Sequence, residues 1–211
     1  MGRQSLNTEE VRQMLMHVAD GMIASESLLT DADRAIGDGD HGVGIERGFR
    51  AARERVAEDR FENLAGVFLA VGTALVGSMG GASGAVFGTF FRSGGKALGV
   101  ATEWDSAGLA AFLEAGLDGV MQRGGAKPGD KTMIDALEPA AARARALSGE
   151  ALDVALASSV EAAQEGKEKT RNMIATTGKA RALGERSLGH PDPGALSMTL
   201  ILRFMQDYVN A

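Results

Sequence analysis

The stretch "DADRAIGDGDHGVG", residues 31–44, crowds Asp31, Asp33, Asp38 and Asp40 among glycines. Asp33, Asp38 and Asp40 are spaced five and two residues apart, and the glycines between them read as hinges of a loop. Such a loop can turn all three carboxylates toward one point. There they repel one another unless a hard cation sits between them. Mg2+ prefers carboxylate and phosphate oxygens and commonly bridges a protein to a nucleotide. Asp and Gly also serve simply as helix caps and turns. Three carboxylates followed by His41 and "GVG" favour the metal.

Other glycine-marked breaks suit the same chemistry. "GGASG", residues 80–84, opens a helical stretch, and free backbone N–H groups at a helix start attract phosphate. "GERSLGHPDPG", residues 184–194, places Arg186, His190 and Asp192 ahead of the last helix, with Asp192 as N-cap and Pro193 at the first helical position. Lys179 and Arg181 can neutralise phosphate charge. Each break has a plainer reading as a helix–helix turn, a proline-stiffened loop or a solvated cation. Together they describe one end of a helical bundle equipped for Mg2+ and a polyphosphate.

Three better-known motifs are only approximated. Gly37, Gly39 and Gly42 satisfy G-x-G-x-x-G, but no strand precedes them, and two aspartates inside the loop would repel a pyrophosphate. "GGAKPGDKT" lacks the contiguous Gly-Lys-Thr of a P-loop, because Asp130 separates Gly129 from Lys131. An EF-hand beginning at Asp31 would put Ala35 and Ile36 at its fifth and sixth positions, where an acid and a glycine are required.

The elements that must position these residues are helical. Val11, Leu15, Val18 and Met22 fall on one face of a helix in the stretch 7–29, with Asn7 as N-cap and Glu10 completing a capping box. Further helical stretches are predicted at 43–57, 61–78, 83–98, 106–122, 131–147, 150–173 and 194–209, eight in all. No segment alternates with period two, and alanine outnumbers clusters of Val, Ile and Thr, so no strand is predicted. Trp104 reads as a packing anchor at a helix start and His17 as a surface residue. With no long linker or composition shift, residues 1–211 form one all-α domain.

Composition narrows the function. With 45% apolar residues the chain can bury a core, and without cysteine it has neither disulfides nor a thiolate site. A net charge of −6 argues against nucleic acid as a partner. The run "LAGVFLAVGTALVGSMGGASGAVFGTFF" could suggest a membrane hairpin, but "SMGG" splits it. The first residues lack a signal peptide's apolar core, so a cytoplasmic location with no membrane partner is expected.

Four stretches in order, "DADRAIGDGDHG", "GGASGAVFGTFF", "RGGAKPGDKTMIDAL" and "LGERSLGHPDPGA", resemble the signatures of the nucleotide-binding L subunit of dihydroxyacetone kinase. They are equally similar to the C-terminal domain of single-chain kinases of that family. The resemblance covers almost the whole chain. It implies an eight-helix antiparallel barrel with ADP or ATP at one end and two Mg2+ ions held by Asp33, Asp38 and Asp40. It places His41, Gly42, Val43 and Gly44, with Ala82 and Ser83, along the phosphates and sugar. Gly124 and Met133 would lie at the adenine. Asp192, Pro193 and Gly194 would close the site, with Lys179 or Arg181 as the basic residue. Two positions depart from the family pattern: Gly44 replaces a frequent asparagine, and Ala182 a frequent tyrosine.

The resemblance implies phosphoryl transfer from Mg-nucleotide to a small keto-sugar, dihydroxyacetone or a related triose or tetrose. The sugar would be held on a K-type partner subunit, since the family's substrate domain has no counterpart in this sequence. Phosphate would be resupplied by free ATP or by an M-type phosphohistidine carrier of the phosphotransferase system acting on bound ADP. A homodimer is also compatible with the family. The alternatives are a nucleotide-binding regulatory module for a transcription factor and a metal-dependent phosphohydrolase.

Overall fold

The computed structural model describes residues 2–211. Among them are nine α-helices: α1 (Thr8–Ala24), α2 (Glu26–Ile36), α3 (His41–Glu58), α4 (Leu64–Ser78), α5 (Gly81–Ala97), α6 (Ser106–Gly124), α7 (Ile134–Ala146), α8 (Leu152–Lys169) and α9 (Pro193–Val209). Eight of them close a ring. Helix α1 packs on α3, each of α3 to α8 packs on its successor, and α9 returns to α1. Short connections make most neighbours antiparallel. Helix α2 stands outside the ring, against α3 and α9.

Caps and apolar faces explain most of these helices. Asn7 accepts from the Glu10 N–H at 3.0 Å, and the Glu10 carboxylate accepts from the Asn7 N–H at 2.8 Å, so the predicted capping box forms. The side chains of Asn63, Asp105 and Asp192 accept the N–H of Gly66, Gly108 and Ala195 and so cap α4, α6 and α9. Inside the ring, Phe68 and Phe112 stack at a centroid distance of 4.4 Å, and Phe90 meets Phe112 edge-on at 5.1 Å. Aromatic pairs add to the burial of their area.

The small residues of α4 and α5 serve close packing. A Cβ on Gly88 would lie 2.8 Å from the Gly72 carbonyl oxygen and 2.4 Å from Val76 Cγ2. No helix among the described residues is long and apolar enough to cross a membrane.

Four local expectations are corrected. The predicted first helix is two, broken at Ser25 (φ −89°, ψ 5°), whose hydroxyl donates to the Gly21 carbonyl at 2.8 Å and competes with the helical ladder. Two three-residue strands exist, β1 (Ser5–Asn7) and β2 (Glu103–Asp105), paired antiparallel with Leu6 opposite Trp104. Trp104 is therefore a buried strand residue just before the α6 cap, too short a context for a period-two signal. Helix α7 begins at Ile134 rather than near 131, because Lys131 takes a left-handed φ of 60°. Finally, α8 ends at Lys169 and passes into a 3-10 turn, Thr170–Asn172, and a second 3-10 segment spans Lys179–Ser187 where only a loop is expected.

Candidate functional site

The acidic stretch is half helix and half loop. Asp33 lies in the last turn of α2, not on the glycine-hinged loop, and is buried. Its Oδ2 accepts the Gly39 N–H at 2.8 Å and the His41 N–H at 3.2 Å. One carboxylate thus folds the loop back and caps the start of α3. Gly39 supplies the turn with φ of 80°, which few other residues adopt. Asp38 and Asp40 lie exposed beside it, and carboxylate oxygens of all three aspartates fall within 4.8 Å of one another. Three hard oxygen donors at that separation fit a Mg2+ ion.

A cation from far along the chain faces this group. Lys179 Nζ donates to Asp40 Oδ2 at 2.8 Å and also to Asp38 Oδ2. The contact with Lys179 holds the Asp38 carboxyl below the usual carboxylate range, and the two carboxylates push the Lys179 ammonium above its ordinary value. Behind them His41 Nε2 lies 2.8 Å from Ser197 Oγ. Desolvation lowers the His41 pKa against the pull of Asp33 and Asp40, so the imidazole is neutral near pH 7.

Four helix N-termini, those of α3, α5, α7 and α9, converge on a cavity of about 720 Å³ beside the acidic group. A helix N-terminus carries roughly half a positive charge, although in α7 the Ile134, Asp135 and Ala136 N–H groups are already bonded within the preceding turn. Gly80, Gly81, Ala82 and Ser83 bring the first amides of α5 to the wall. Val86, Phe87, Val120, Met133 and Ile134 add apolar lining. The cavity therefore offers carboxylate oxygens, helix-start amides and apolar lining side by side, within the size of small-molecule pockets.

Most of the predicted residues meet in this cavity. Asp33, Asp38, Asp40, His41, Val43, Gly44, Ala82, Ser83, Gly124, Met133, Lys179, Asp192, Pro193 and Gly194 all line it. Two do not. Gly42 is buried in the seam between α3 and α2, where a Cβ would lie 2.2 Å from both the Glu26 carbonyl oxygen and Thr30 Oγ1. Arg181 is exposed and off the wall, because residues two apart on a 3-10 helix of three per turn face different ways. Of the two candidate cations, Lys179 is the one directed at the site.

The family model for the DAK2 domain matches residues 35–207. The chain belongs to the DAK2 domain family. This DAK2 domain is 43% identical over 183 residues to the ADP-binding subunit DhaL of PEP-dependent dihydroxyacetone kinase 1 of Listeria innocua, covering 86% of each chain. It is 36% identical over 203 residues to the Escherichia coli DhaL subunit, covering 95% of this chain and 97% of that one. Among solved structures it matches the dihydroxyacetone kinase of C. freundii in complex with AMP-PNP and Mg2+, at a TM-score of 0.73 and 29% identity. That match covers 98% of this chain and 35% of the other.

Residues that sequence reasoning passed over also shape the surroundings of this cavity. Arg47 donates from Nε to the Ser78 carbonyl at 2.7 Å and from Nη2 to the Met79 carbonyl at 2.6 Å, tying α3 to the break before α5. Asp135 accepts the Gly129 N–H at 2.6 Å and the Thr132 N–H at 2.7 Å, shaping the turn ahead of α7. Lys131, in the rejected P-loop look-alike, is buried on the cavity wall. No local pattern marks a buried lysine. The failed P-loop match pointed at the right turn for the wrong reason.

Proposed function

We propose that this DAK2 domain is the ADP-binding subunit of a two-part keto-sugar kinase. It would move a phosphoryl group from Mg-nucleotide to dihydroxyacetone, or a related triose or tetrose, held on a K-type partner. The observation that carries the reading is the meeting of three carboxylates with four helix N-termini around one cavity. Asp33, Asp38 and Asp40 would hold Mg2+, two ions in the family arrangement, which when bound would neutralise and align the phosphates. The α5 amides and Lys179 would take phosphate oxygens, and Val86, Met133 and Ile134 would cover the adenine. Phosphoryl transfer needs positioning and charge neutralisation more than covalent work by the protein, so the reading requires no general base here.

The placement of the histidines supports an acceptor brought by a partner. His17 is exposed on α1 beside Phe204 and Tyr208, and neutral His41 is buried against Ser197 and Ser83. His190 lends its carbonyl to Lys131. His41 lines the cavity but turns both ring nitrogens to serines, and His17 and His190 do not line it, so none is free to hold a ketone. The Listeria and E. coli relatives are ADP-binding subunits of PEP-dependent kinases, which favours bound ADP recharged from PEP over exchange of free ATP.

The test is ³¹P NMR of the purified chain with Mg·ATP and either dihydroxyacetone or erythrulose, with and without a K-type subunit. Sugar phosphate is expected only with the partner. Robust product from the chain alone would defeat the two-part reading, and steady release of inorganic phosphate without acceptor would favour the phosphohydrolase.

A further inference from the structure

We propose that Lys131 is a positioning residue that fastens the base of a strap, residues 171–189, and thereby sets Lys179 over the acidic pair. The strap joins α8 to α9 and passes along the cavity, where Thr177, Gly178, Lys179 and Ala180 line the wall. Both of its ends gather on one atom. Lys131 Nζ donates to the Thr170 carbonyl at 2.6 Å and to the His190 carbonyl at 2.7 Å, the two residues that flank the strap.

The surroundings reinforce this base. Thr170 Oγ1 accepts the Asp192 N–H at 2.8 Å and donates to the Lys167 carbonyl at 2.6 Å. Gly189 N–H donates to the Arg171 carbonyl at 2.8 Å, and Arg171 Nη1 returns a bond to the Gly189 carbonyl at 3.0 Å. Beyond the base, the strap meets the rest of the site through exposed contacts, Thr176 with Asp130 at 2.7 Å and Lys179 with Asp38 and Asp40.

Two further observations single out Lys131. It is 2% exposed, yet it carries an ammonium whose pKa desolvation lowers, with Asp192 and Asp135 opposing the shift and Arg171 adding to it. It is also the one non-glycine residue with positive φ among those described. A glycine would take that conformation freely, so a lysine held there is fixed by its contacts. A compact ammonium can serve two carbonyls from one point. A neutral side chain would leave both without their charge-assisted bond.

The experiment compares Lys131→Gly, which suits the backbone, and Lys131→Met, which keeps the side-chain bulk, with the wild type by amide hydrogen exchange without nucleotide. Peptides covering 171–189 should exchange about tenfold faster, while those from α4 to α6 keep wild-type rates. Wild-type exchange in the strap of a folded variant would overturn the proposal. So would an even rise around the ring, or loss of the fold in both variants, because a fastener of one strap does not hold the barrel.

The second measurement alone rests on the nucleotide reading. Dissociation of a fluorescent ADP analogue with Mg2+ should quicken about tenfold in Lys131→Gly, and Lys131→Gly should add nothing in a Lys179→Met background. Full additivity would mean that Lys131 does not act through Lys179. If the strap loosens but the analogue binds neither variant nor wild type, the nucleotide reading fails and the strap assignment stands. If the analogue binds and the strap is unchanged, the reverse holds.

Discussion

Lys179 and Asp40 lie 139 residues apart in the chain and 2.8 Å apart in the fold. The same ammonium reaches Asp38, so the acidic loop has a counter-ion of its own. Without a counter-ion, removal of one aspartate would relieve repulsion in the free protein. With Lys179 bridging the pair, that relief disappears.

Asp38→Asn and Asp40→Asn should each abolish detectable binding of Mg·ADP and leave the melting temperature of the free protein near wild type. Titration calorimetry and a thermal scan decide the matter. Unchanged Mg·ADP affinity in both variants would remove the carboxylates from the metal site.

Gly42→Ala should weaken both the fold and the site. The added Cβ would lie 2.2 Å from the Glu26 carbonyl oxygen and 2.2 Å from Thr30 Oγ1, so α2 must shift off α3. Overpacking of this kind costs about 1–3 kcal/mol. Because α2 carries Asp33, nucleotide affinity should fall with stability. Denaturant unfolding and calorimetry on one preparation check both, and a variant with wild-type values in each would show that the seam has slack.

Stability should fall with pH on account of Asp192. The residue retains some contact with solvent, but burial of its carboxyl pushes it up to about 7, against the lowering effect of the Ala195 N–H. An unfolded aspartate titrates at about 3.9. The folded state therefore binds this proton more tightly, and the contribution is full below about pH 4 and lost as pH rises toward about 7. Asparagine caps a helix as well as aspartate does. Asp192→Asn should accordingly flatten the melting-temperature profile between those values. Identical slopes in the two proteins would show that the carboxyl titrates as an ordinary one.

Ligand linkage gives a test that needs no mutation. A ligand that binds only the folded state at a hundredfold excess over Kd adds about 2.7 kcal/mol. Mg·ADP should therefore raise the melting temperature clearly, and Mg2+ alone only slightly. A larger shift with Mg·GTP would contradict the proposed adenine contact.

What residue spacing determined without the family resemblance was local. The Asn7–Glu10 capping box, the Asp192–Pro193 start of α9 and the helical class follow from residues within a turn of one another, where caps and apolar spacing act. The tertiary structure decided what depends on contacts across the ring. It closed eight helices into a barrel, turned α2 aside at Ser25, and brought four N-termini to one end. It chose Lys179 over Arg181, turned Gly42 toward α2 rather than the cavity, and buried Lys131 beneath the strap. Caps and periodicity are settled by nearest neighbours. The direction of a side chain on a 3-10 turn, or a left-handed lysine, is settled by groups tens to more than a hundred residues away, and these meet only once the barrel has closed.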